Sequence, residues 1–139
     1  MRSLLDTNVL SEIVKPVPNL GVVRWVSEQP PLDFFISTIT IGEIAKGIHA
    51  MPAGRRRDAL DTWVREELTR QFLGRVLPVD ERVAHEWGRL AGEGKRSGRP
   101  LAVIDGLLLA TASAHTLTFV TRNEEDCANR GVPVHNPWS

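Results

Sequence analysis

Residues 2–14 read RSLLDTNVLSEIV, an apolar run that stops at Asp6, passes through Thr7 and Asn8 and becomes apolar again at Val9. A short apolar segment of this kind fits a buried strand. The polar triplet after it fits the start of a helix, with Asp6 as the cap, or an oxygen-rich ligand site at the strand's end. The same alternation continues along the chain. The pattern predicts strands over 2–5, 34–37, 75–79, 118–121 and 133–135. It predicts helices over 7–14, 19–28, 40–51, 54–72, 81–96 and 102–115, and a helical turn over 124–129. The longer helices have a clear apolar face: Ala59, Leu60, Trp63, Val64 and Leu68 in one, Val83, Ala84, Trp87, Leu90 and Ala91 in another. Short apolar strands separated by helices imply an α/β fold whose parallel sheet is covered on both faces. KPVPN at 15–19 and QPPLD at 29–33 are turns, because proline removes a donor and restricts its predecessor.

The totals set the frame. A chain of 139 residues, 42% hydrophobic and 24% charged, suits a single globular domain over 1–139. Cys127 is the only cysteine, so no internal disulfide forms, and a reducing, cytoplasmic setting is expected. There is no signal peptide pattern after Arg2 and no membrane span. The longest stretch without Asp, Glu, Lys or Arg, GLLLATASAHTLTFVT at 106–121, is short for a span and carries Thr, Ser and His. Seventeen basic residues balance seventeen acidic ones, so any affinity for nucleic acid comes from local patches. Arg55–Arg57 and the trio Lys95, Arg96 and Arg99 are such runs; either a solvated face or a phosphate contact accounts for them.

Several acids fall at the carboxyl ends of the predicted strands, where open parallel sheets bind ligands. Asp6 ends the first strand. Glu43 lies in the first turn after the second, in STITIGEI at 37–44. Asn123 and Asp126 follow the fourth, in FVTRNEEDC at 119–127. Asp105 interrupts the otherwise uncharged LAVIDGLLLATA at 101–112, where an unpaired carboxylate is costly to bury. Taken singly, each has a structural explanation. Asp6 caps a helix, Thr40/Glu43 and Asn123/Asp126 have capping-box spacing, and Asp105 favours a helix dipole. Capping does not explain why they gather at one end of one sheet. Two carboxylates about 4 Å apart repel by roughly 4 kcal/mol at an intermediate dielectric. A cluster of them persists by protonating a member or by holding a cation, and oxygen donors select Mg²⁺ or Mn²⁺.

Other chemistries fail. His49, His85, His115 and His135 form no zinc spacing with one another or with Cys127. GEGKRSG at 92–98 has Arg96 where a phosphate loop needs Ser or Thr, and it follows a helix. No Gly-x-Ser-x-Gly elbow exists, and Cys127 has no evident base.

LLDTNVL, STITIGEI, VIDGLLLATA and FVTRNEED resemble, in order and spacing, the four motifs of PIN domains of the VapC type. NVLSEIVKPVPN at 8–19 and the terminal VHNPWS are most similar to the FitB-like branch. The resemblance spans nearly the whole chain. It implies an α/β/α sandwich and a metal-dependent endoribonuclease that is the toxin of a type II toxin–antitoxin system. Its cofactor is Mg²⁺ or Mn²⁺, its substrate RNA. It is expected to be a homodimer neutralised by a small cognate antitoxin of the VapB or FitA type, through which alone it meets DNA. Residue by residue, Asp6, Glu43 and Asp105 match the family's acids. The fourth position, often Asp, is Asn123 here, with Asp126 three residues on as a candidate ligand. Thr7, Asn8, Thr121 and Asn123 are expected to orient the carboxylates. The alternatives are a catalytically weak PIN-like module acting in a repressor complex and a phosphatase with Asp6 as nucleophile. Asn8 stands where the phosphatase would carry a second Asp. The long helical pair at 40–72, separated only by PAG at 52–54, suggests an interaction clip for the partner. Most of Trp25, Trp63, Trp87 and Trp138 are expected in the core.

Overall fold

The computed structural model describes all residues from Met1 to Ser139. Five parallel strands form one sheet in the order β3-β2-β1-β4-β5: β1 (Ser3–Leu5), β2 (Phe34–Ser37), β3 (Val76–Leu77), β4 (Thr118–Val120) and β5 (Val134–His135). The chain starts in the central strand, winds outward through β2 and β3, then returns to the other side of β1 through β4 and β5. The carboxyl ends of β1 and β4 therefore flank the point where the winding reverses, the place such sheets offer to ligands.

Helices cover both faces, as the strand pattern requires. Leu4 and Phe119 pack on one side with Val83, Leu90, Leu108 and Leu109 from α6 (Glu81–Arg96) and α7 (Val103–Ala114). Leu5 and Val120, their neighbours in the chain, pack on the other side with Val9, Val22, Ile48, Val64 and Phe72. Those come from α1 (Thr7–Ile13), α2 (Leu20–Ser27), α3 (Thr38–His49) and the stretch after α4 (Arg55–Thr62). Successive strand residues face opposite sides, so the LL and FV pairs each serve two cores. This is the expected α/β/α sandwich. All four tryptophans are only partly buried and pack around these cores. No helix is long and apolar enough to cross a membrane.

Most element ends shift by one or two residues from the sequence pattern, and two differences have a clear structural cause. The third helix begins at Thr38, not at residue 40, because Ser37 is its cap: Ser37 Oγ accepts from Ile39 N at 3.0 Å. Thr40 is thus inside the helix and fully buried, and the Thr40/Glu43 pair is not a capping box. The helix expected over 54–72 loosens to a π-helical stretch at Trp63–Leu68 before a last turn, α5 (Thr69–Gln71). A π stretch widens the turn without any marker in residue type. The helical turn α8 spans Glu124–Cys127.

Candidate active site

A cleft of about 480 Å³ opens at the carboxyl ends of β1 and β4. Asp6, Thr7 and Asn8 reach it from the end of β1, Glu43 from α3, Asp105 from α7, and Arg122 and Asn123 from the segment after β4. The three acids expected from the sequence do line one cavity. Thr7, Asn8 and Asn123 line it with them, and Thr121 lies fully buried against Asp6.

Each carboxylate is held by neutral donors. Asp6 Oδ1 accepts from Thr7 N at 2.7 Å, and Asp6 Oδ2 accepts from Thr121 Oγ1 at 2.7 Å. Asp6 is therefore also the cap of α1. Glu43 Oε1 accepts from Thr7 Oγ1 at 2.6 Å, and Asp105 Oδ2 accepts from Asn123 Nδ2 at 3.0 Å. Thr121 Oγ1 in turn accepts from Asn123 N at 3.0 Å and lies 3.5 Å from Asn8 Nδ2. Thr7 and Thr121 thus tie β1 to α3 and β4 through the acids themselves.

Asp6 is only 6% exposed. Its burial pushes its pKa up to about 6 against the pull of the Thr121 and Thr7 hydrogen bonds, and the charges of Asp105 and Glu43 raise it further. A carboxylate in that state is stabilised by a cation. The donor set is entirely oxygen, and Asn8 Oδ1 is a buried acceptor with no partner. These groups fit a hard divalent ion. They do not converge into a closed cluster of three ligating side chains. The fit is to an ion that keeps several of its waters, as Mg²⁺ does.

Asp126 behaves differently from the expectation that it ligates. It is exposed on α8 and does not line the cleft. Asn123 makes no side-chain cap for α8, because its amide is engaged by Asp105. The capping-box reading of that pair fails as well, because Asn123 N donates to Thr121 Oγ1 and not to Asp126. Asp126→Asn is expected to leave metal binding and cleavage unchanged and to alter stability by no more than about 0.5 kcal/mol, measured by ion titration and thermal melts. Cys127 is buried, its thiol pushed up to about 12 by desolvation, which suits a packing group.

The cleft also contains groups the sequence reading passed over. Glu12 is buried and receives Lys15 Nζ and Asn19 N, both at 2.9 Å, which hold its carboxyl below the usual range. Arg122 and Trp138 complete the wall. Trp138 arrives from the far end of the chain, which no local pattern reveals. Arg122 stands between two residues already singled out.

Beside the cleft runs an apolar groove of about 250 Å³ between α1, α3 and α4, lined by Leu10, Val14, Ile44, Ile48, Leu60 and Trp63 among others. It shares Thr7, Ser11 and Glu43 with the cleft.

The PIN-domain family model matches residues 3–130. Toxin FitB of Neisseria gonorrhoeae is 36% identical over 135 residues, covering 97% of each chain. The VapC ribonuclease Y4jK of Sinorhizobium fredii is also 36% identical over 135 residues, covering 97% of this chain and 96% of that one. A chain of the FitAB complex bound to the IR36 DNA fragment superposes with a TM-score of 0.93 at 35% identity, covering 99% of this chain and 96% of that one. With the four motifs meeting at one sheet end, three of them bringing an acid and the fourth Asn123, this chain belongs to the PIN-domain family, in its VapC-type, FitB-like branch.

Proposed function

We propose that this chain is the toxin of a toxin–antitoxin pair and acts as a divalent-ion-dependent endoribonuclease. The observation that carries the reading is the buried Asp6, held in one cleft with Glu43 and Asp105 and biased by their charge. Asp6 and Asp105, with Glu43 directly or through water, would hold Mg²⁺ or Mn²⁺. When bound, the ion supplies positive charge at the scissile phosphate and lowers the pKa of a bound water. The chain's own part is positional. Thr7 N and Thr121 Oγ1 fix both oxygens of Asp6, and Asn123 fixes Asp105. Glu43, anchored through one oxygen by Thr7, retains its other oxygen to accept a proton from water. No Ser, Cys or His nucleophile is needed.

The partner in this reading is a small antitoxin. The groove beside the cleft suits the apolar face of a short helix, and a basic side chain continuing from it would reach the acids and exclude the ion. Complexes named FitAB and VapBC among the structural neighbours support this assignment, as does the DNA fragment bound in the FitAB complex. DNA contact by this chain would be indirect. Homodimer formation belongs to the same reading; Val14 and Val17 in the connection between the first two helices, and Leu20 and Val23 on the second, remain exposed, Val17 at 88%.

Asn123, neutral where a fourth acid often stands, is the observation for the rival reading of a weak PIN-like module. The test is incubation of the purified chain with RNA in Mn²⁺, Mg²⁺ or EDTA. Cleavage that requires the ion and is lost with EDTA is expected. RNA left intact under every ion condition, by a folded chain, would favour the rival.

A further inference from the structure

Arg122 is an exposed guanidinium on the wall of the acidic cleft. It lies between Thr121, which holds Asp6, and Asn123, which holds Asp105. Its position is therefore tied to both carboxylates through its two chain neighbours. It forms no ion pair; its partner is the indole of Trp138, with Cζ 5.5 Å from the ring centroid. The other cation of the cleft, Lys15, is committed to Glu12 at 2.9 Å.

The ring that backs Arg122 is itself anchored. Trp138 N donates to Asn136 Oδ1 at 2.9 Å, and Ser139 N donates to Asn19 Oδ1 at 3.3 Å. At Gly21 a Cβ would stand 2.7 Å from Pro137 O, so only glycine lets the C-terminal segment lie against α2. The end of the chain is thus built into the cleft wall and presents a fixed aromatic surface to a guanidinium.

An acidic cleft repels a polyanion, and a substrate phosphodiester needs a cation near its point of entry. Guanidinium meets phosphate through a planar fork of donors, and stacking on an indole restricts it while leaving the donor edges free. We infer that Arg122, seated on Trp138, is the phosphate-binding cation of this cleft, holding the backbone of single-stranded RNA beside the acids. The inference rests on the ribonuclease reading and deepens it. Arg122 binds substrate; Trp138 is a positioning residue that acts through Arg122.

The test uses the full chain. Binding of a labelled single-stranded RNA is followed by anisotropy at several salt concentrations in an Asp6→Asn background, and KM and kcat are measured with Mn²⁺ in the otherwise native chain. Arg122→Gln is expected to weaken binding and raise KM about tenfold at low salt, with kcat within about twofold. The slope of log affinity against log salt should become shallower by about 0.7, the signature of one lost phosphate contact on a single strand. Arg122→Lys should keep the slope and recover part of the affinity. Trp138→Ala should raise KM in the same direction, and Trp138→Phe should rescue it. A native salt slope and KM in a folded Arg122→Gln chain, or a loss confined to kcat, would overturn the inference and leave the ribonuclease reading standing. A native chain that neither binds nor cuts RNA would overturn both.

Discussion

Asp6→Asn is expected to reduce ion-dependent cleavage by several orders of magnitude while making the metal-free protein more stable at neutral pH. The two effects share one cause. Asp6 is buried, faces Asp105 and Glu43, and holds its proton up to about 6 instead of the ordinary 3.8. Between those values the native state carries more protons than the unfolded chain, so stability falls as pH rises through the window. Above about 6 the ionised Asp6 costs on the order of 3 kcal/mol relative to acid. Other groups titrate nearby with the opposite sign. Burial lowers the pKa of His115, so its protonation favours the unfolded chain as pH falls. Glu12, held below its ordinary value by Lys15, loses its stabilising charge at still lower pH. The difference between variant and native chains cancels both. Urea denaturation of the metal-free proteins should show Asp6→Asn gaining about 2 kcal/mol over the native chain between pH 4.5 and 7. Saturating Mn²⁺ should reverse the ranking, because only the native chain presents the charge the ion binds. Equal stability profiles across that pH range would remove the electrostatic account of the cleft. Full cleavage by the variant would remove Asp6 from the active site.

The convergence of Asp6, Glu43, Asp105 and Asn123 was legible in the sequence because a parallel sheet sends every strand's carboxyl end to the same side. Once β1, β2 and β4 are recognised, the residues that follow them must be neighbours. Asp105 belongs to a helix, and what pointed to it was the cost of a lone acid in an apolar run. Side-chain choices were less legible. Both Ser37 and Thr40 can cap α3, and only the strand's end at Ser37, three residues before Thr40, selects Ser37. Asn123 and Asp126 have capping-box spacing, yet Asn123 donates to Asp105 across 18 residues of chain. A satisfied local motif and a satisfied distant one look the same until both partners are placed. Trp138, Glu12 and Lys15 enter the cleft through contacts between α1, α2 and the chain's end, which leave no periodic trace. The π stretch at Trp63–Leu68 left none either.

Asn123→Asp is expected to destabilise the metal-free protein and to tighten divalent-ion binding. In the native chain Asn123 Nδ2 donates to Asp105 Oδ2 at 3.0 Å. The substitution replaces that donor with a second carboxylate oxygen and so converts an attraction into a repulsion. Losing a hydrogen bond to a charged group costs about 1.5–3 kcal/mol, and the repulsion adds to it until one of the two carboxyls takes up a proton. Melts without metal should therefore show a loss of about 2 kcal/mol or more at pH 7 that shrinks as the pH is lowered. A bound divalent ion changes the sign, because the added charge then lies beside a cation. Titration with Mn²⁺ should show affinity rising at least tenfold, with a second ion bound if the position completes another site. Asp126→Asn serves as the control, since its exposed place on α8 keeps it out of the cleft. If Asn123→Asp leaves both affinity and stoichiometry unchanged while losing stability, the position is only a donor to Asp105. The cleft would then work with a single ion held by Asp6 and Asp105.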